Sequence, residues 1–180
     1  MLIAQQKKKE NIAEYLLYMW QVEDMIRAYN FDIDSIQLNI IDKFEQPDNV
    51  KRQIREWYEN LIEMMILENI KESGHLQILK NLIIELTDLH LRLMKSPQES
   101  FYIATYYNTL PYIVELRAKT TDKSIPELEN CFSALYGFLL LRIQKKEISE
   151  ETLKAINQIS SFIRILAEKY NSEKNGDLEI

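Results

Sequence analysis

Ile12-Ala13-Glu14-Tyr15-Leu16-Leu17-Tyr18-Met19-Trp20-Gln21-Val22-Glu23-Asp24-Met25-Ile26 is apolar around most of a helix. At 3.6 residues per turn, Ile12, Leu16, Met19 and Ile26 fall on one stripe, with Tyr15, Tyr18, Val22 and Met25 beside it. Leu17 and Trp20 carry the apolar surface round to the far side, the pattern of a central or interface helix. The period extends from about Gln6 to Tyr29. One residue is out of place on it: Glu23 shares the apolar stripe, where a carboxylate must be paired, neutralised or part of a site. Arg27, one turn on, is the expected partner in the favourable Glu-to-cation order, and Asp24 is placed to share it.

Outward from that helix, apolar residues keep helical spacing almost everywhere. A short helix is expected around Ser35 to Phe44, and Gln46-Pro47-Asp48 opens the next, which carries Trp57, Tyr58, Leu61 and Met65 to a Gly74 cap. A leucine-rich helix follows from His75 to Lys95. Ser96-Pro97-Gln98-Glu99 reads as a capping box, in which serine accepts from the first turn and Glu99 reaches back. The same grammar recurs at Ser124-Ile125-Pro126-Glu127, and more loosely at Ser149-Glu150-Glu151-Thr152, which opens a helix to about Tyr170. Short connections make neighbours antiparallel. The expected fold is all-α: one domain over residues 1–171, a bundle of six to seven antiparallel helices, with a polar tail over 172–180.

The chain has three glycines, none near another, so no phosphate-cradling loop or dinucleotide fingerprint is possible. Gly74 and Gly176 suit a cap and a tail; Gly137, inside an apolar helix, is expected at a close contact with the tyrosine-rich helix before it. A net charge of −6 disfavours nucleic acid, which needs a dominant basic patch. No apolar run reaches the ~20 residues that span a bilayer, so no membrane partner is expected. One cysteine, Cys131, cannot form an internal disulfide, and no secretory signal opens the chain; both fit a cytoplasmic location.

Catalytic residues are sparse. A di-iron bundle needs Glu-x-x-His twice, and the spacing occurs once, at Glu72 and His75 across Gly74. No metal or cofactor is expected. His90 reads as a partly buried histidine on a helix flank, and Cys131 as a small core residue. The fifth helix is less ordinary: Tyr102, Tyr106, Tyr107 and Tyr112 cluster around Pro111, which removes a backbone hydrogen bond and should kink it. Arg117 continues the stripe of Ile103, Tyr107, Leu110 and Val114. A pocket, if the helices build one here, would be lined by Glu23, Arg27, Tyr106, Tyr107 and Arg117, with arginine clamping an anionic group.

The run Lys9-Glu10-Asn11-Ile12-Ala13-Glu14-Tyr15, the segment Met19-Trp20-Gln21-Val22-Glu23-Asp24, and Leu110-Pro111-Tyr112-Ile113-Val114-Glu115-Leu116-Arg117 with Leu135-Tyr136-Gly137 resemble an uncharacterised bacterial family, of Bacteroidetes type, classed as a domain of unknown function. The resemblance implies an all-helical cytoplasmic protein and no site residues. From the residues, the expected function is a non-catalytic interaction or scaffold protein acting as a homodimer, with another protein as a possible partner. The alternative is a small-ligand-binding bundle or unrecognised enzyme using the Glu/Arg/Tyr pocket.

Overall fold

The long first helix expected from the periodicity is two helices, because Asn11 ends one and starts the other. Its backbone is extended at φ −154°, and its side-chain oxygen accepts from the N–H groups of Ala13 and Glu14 at 3.0 and 3.1 Å. The computed structural model describes residues 2–122 and 124–180. Among them are eight α-helices: α1 (Leu2–Glu10), α2 (Ile12–Ala28), α3 (Ile33–Asn39), α4 (Asp48–Leu67), α5 (Gln77–Leu93), α6 (Ser100–Lys119), α7 (Glu127–Ile143) and α8 (Glu150–Asn175). No strand occurs among the described residues. The fold is all-α, with one helix more than expected because of the Asn11 break.

Glycine is scarce because asparagine and lysine do its work. α2, α4, α7 and α8 each close with a bond from an N–H just beyond the helix to the carbonyl five positions back: Phe31 to Ile26, Ile70 to Met65, Lys146 to Leu141, Asp177 to Ser172. The left-handed residue these closures need is Asn30, Asn69, Lys145 and Gly176 in turn. α4 therefore ends at Leu67, short of the expected Gly74 cap, and α8 runs past Tyr170 to Asn175 because nothing stops it before Gly176. Phe31 also has positive φ, at 64°, an uncommon conformation for a bulky residue.

The expected caps divide. Ser149 accepts from the Thr152 N–H at 3.2 Å, as its spacing predicts. Ser96 makes no side-chain cap and opens only a 3₁₀ turn, Pro97–Glu99, because Glu99 is buried and turned to Lys169 of α8 at 2.6 Å. Ser124 gives its hydroxyl and N–H to Asp122, and α7 begins later, at Glu127. α6 continues through Pro111 to Lys119 without interruption.

α2 is the central helix: Ile12, Leu16, Trp20, Glu23 and Ile26 are buried. α8 packs against α2, α5, α6 and α7, and contributes Ile159, Phe162, Ile163 and Leu166 to the core. Gly137 is not at the expected close contact, since a Cβ there would meet nothing within 4 Å. No helix among the described residues is long and apolar enough to cross a membrane.

The Asn11 cap predicts a graded loss. Asn11→Ala should lower the unfolding free energy in urea by about 1 kcal/mol and Asn11→Gly by only a few tenths, because glycine is a tolerated cap; equal stability of all three forms would show that the bonds at Asn11 contribute nothing.

Candidate functional site

Glu23 reaches no arginine. Its Oε2 lies 2.6 Å from His75 Nδ1, and its Oε1 accepts from the Leu76 N–H at 2.8 Å. Leu76 occupies the cap position of α5, where a leucine side chain offers no acceptor, and the next N–H, of Gln77, donates to Glu68 at 2.7 Å. Two carboxylates from elsewhere thus cap α5 and complement the positive end of its dipole. Arg27 pairs with Asp24 at 2.8 Å and donates to the carbonyls of Ile70 and Gly74, pinning the loop between α4 and α5 onto α2. The expected Glu23–Arg27 pair is replaced because Asp24 and two loop carbonyls meet the guanidinium, while Glu23 points inward. Trp20 stacks flat on His75, with centroids 4.0 Å apart and planes at 10°, and meets Tyr136 edge-on. Tyr136 donates to Asp24 at 2.6 Å. The indole N–H of Trp20 is buried with no partner among the described residues.

A second polar group sits between α5, α6, α7 and α8. Tyr106 donates to Glu127 at 3.0 Å, and Arg117 stands 4.0 Å from the same carboxylate. His90 is buried rather than on a flank: its Nδ1 lies 2.7 Å from the Tyr102 hydroxyl, and its ring packs on Tyr106 and Phe162. Burial pushes the His90 pKa down from 6.5 to about 4, and the buried Cys131 thiol up to about 12. A thiol held that high is not a nucleophile at neutral pH. Among the described residues, no group of three or more His, Cys, Asp or Glu side chains is arranged to hold a metal ion.

The five residues expected around one pocket therefore divide. Glu23 and Arg27 join the α2–loop cluster, Tyr106 and Arg117 meet at Glu127, and Tyr107 faces outward, 59% exposed. His75, Leu76 and Glu68 were missed as partners of this interior because they lie far along the chain and nothing in their spacing marks them.

Two other features stand on the surface. A cleft of about 360 Å³ opens between α1, α2 and α4, lined by Tyr18, Phe44, Glu45, Ile54, Trp57 and Tyr58. Of the apolar residues expected on α4, Tyr58 is buried and Trp57 half-buried. The second half of α7 is the other. Leu135 and Tyr136 pack on the core, whereas Phe138, Leu139, Leu140 and Leu141 are half-buried outside it and Ile143 is 61% exposed.

A family model for a domain of unknown function, DUF4924, matches residues 1–177. The chain belongs to this family. No curated protein and no solved structure matches it. In this DUF4924 domain the polar groups around Glu23 serve helix capping and loop anchoring, while the aromatic cleft and the α7 surface lie apart from them.

Glu23→Ala leaves the Leu76 N–H and His75 without their partner, and is expected to lower the unfolding free energy by about 3 kcal/mol. Hydrogen exchange should speed up at Leu76 and Gln77 first, and Glu23→Gln, whose amide oxygen still accepts, should keep most of the stability; unchanged exchange at Leu76 would refute the capping role. His90 gives a pH dependence of known sign. Its folded pKa is depressed, so the unfolded chain takes the proton first, and stability intact above pH 6.5 is lost progressively as pH falls toward about 4. The His90→Leu/Tyr102→Phe double variant, which removes both partners, should flatten this part of the urea-unfolding profile; an unchanged slope between those values would assign it to other groups.

Proposed function

We propose that the domain is a non-catalytic, cytoplasmic helical scaffold that works as a homodimer, joined through the second half of α7. The observation that carries this reading is the run Phe138 to Leu141 with Ile143, an apolar helix surface left half-covered by its own chain. Surfaces of that kind mark association sites. Gly137 lies on the same helix with open space in front of it, in line with the exposed Ser133 and the half-exposed Glu129. Small residues there let a second helix approach closely.

The occupant favoured by charge is a second copy. α7 starts acidic, at Glu127 and Glu129, and ends basic, at Arg142 followed by Lys145 and Lys146. Two such helices crossing antiparallel at Gly137 set Glu129 of each against Lys145 of the other, a self-complementary two-fold contact. A non-catalytic role is supported by how the reactive groups are used: His90 is held by Tyr102, His75 by Glu23, and the Cys131 thiol is buried. The unpaired cysteine fits a reducing compartment.

Light scattering behind size exclusion at about 100 µM, where contacts as weak as micromolar are formed, should give twice the 21.5 kDa chain mass. Gly137→Gln should give the single-chain mass with an unfolding free energy raised by about 0.5 kcal/mol, because glutamine is the better helix former in open space. A wild-type monomer, or a Gly137→Gln dimer, overturns the proposal.

A further inference from the structure

The cleft between α1, α2 and α4 has a volume of about 360 Å³, at the lower end of the range of about 300–1,000 Å³ common to small-ligand sites. Its composition is selective. Four aromatic side chains contribute to it, Tyr18 from α2, Phe44 from the segment before α4, and Trp57 and Tyr58 from α4, with the aliphatic Leu2, Ile3 and Ile54 beside them. Trp57 and Tyr58 meet edge to face, centroids 5.0 Å apart at 62°, so their π-faces point in different directions and form a corner rather than a stack. Glu45 is the one carboxylate of the lining, and it is exposed. No Lys, Arg or His lines the cleft among the described residues.

We propose that this cleft binds a small organic cation, a quaternary or alkyl-substituted ammonium, with its alkyl groups against the rings of Tyr18, Phe44, Trp57 and Tyr58 and its charge facing Glu45.

The chemistry follows from the sign of each surface. Aromatic faces carry negative quadrupole and attract a cation within about 6 Å of the ring centre. An alkylated ammonium is weakly hydrated and presents apolar methyl groups, so it loses little water on entering an aromatic site. A carboxylate or phosphate ligand would meet Glu45 and four aromatic side chains, with no Lys, Arg or His opposite it among the described residues of the lining. A neutral apolar ligand would fill the cleft but leave Glu45 without a role. On α4, Lys51 donates to the Asp42 carbonyl and Arg55 holds Asp34 and Glu59. Burial raises the pKa of both Tyr18 and Tyr58, so neither phenol ionises near neutral pH. The site is separate from the α7 surface, so it stands or falls independently of the dimer.

The probe pair is choline and its neutral isostere 3,3-dimethyl-1-butanol, titrated into the full chain and followed by the indole N–H resonances of its two tryptophans. Trp57 lines the cleft and Trp20 is buried elsewhere. Choline should shift the Trp57 signal saturably, leave Trp20 in place, and bind about tenfold more tightly than the alcohol. Trp57→Leu should abolish binding. Glu45→Gln, at an exposed position that does not endanger the fold, should weaken choline about fivefold and leave the alcohol unchanged. Equal affinity for choline and the alcohol, an unaffected Glu45→Gln variant, or no saturable Trp57 shift with either choline or the larger benzyltrimethylammonium would overturn the proposal.

Discussion

The start of α5 has no cap of its own, and the arrangement around α2 depends on how that deficit is met. Leucine and glutamine side chains stand where Ser, Thr, Asp or Asn would accept from the first free N–H groups, and Glu23 and Glu68 accept in their place. A carboxylate can stay at the centre of the bundle because those bonds satisfy it. Once Glu23 is fixed, His75 must lie beside it, Trp20 stacks on His75, and Arg27 takes the carbonyls of the same loop. The indole N–H of Trp20 has no partner among the described residues, a cost of about 1–3 kcal/mol that the stacked and edge-on ring contacts must offset.

Period and end signals carried most of the fold, because helices are local objects. The stripe of Ile12, Leu16, Met19 and Ile26 did mark the central helix, and Ser149 did cap α8. The break at Asn11 escaped the period because the apolar spacing on either side of it continues, although asparagine before an isoleucine is itself a cap signal. The serines at 96 and 124 misled for a different reason. Capping is a competition, and Glu99 and Glu127 had stronger partners in Lys169 and in Tyr106 with Arg117, residues that only the tertiary arrangement brings near.

The polar interior shows the same limit more sharply. Glu23 was recognisable as misplaced from its own helix, since burial follows from the stripe it occupies. Its partners were not, because His75 and Leu76 lie more than fifty residues away. The tyrosines of α6 were visible as a group, yet they divide between a buried histidine, a carboxylate and solvent. What looked like one pocket in sequence is two structural clusters. The aromatic cleft was hidden in the opposite way, its residues being spread over α2, α4 and the segment before α4, where each reads as an ordinary apolar position of its own helix.

α8 touches α2, α5, α6 and α7, so its position in the chain has a consequence for biosynthesis. Until those 26 residues are made, the partner faces of four helices have nothing to close on. At translation rates of about 5–20 residues per second, α8 takes about one to five seconds to add. For that interval the nascent domain exposes the surfaces that Ile159, Phe162, Ile163 and Leu166 later cover. Exposed apolar surface then makes aggregation a competitor of folding.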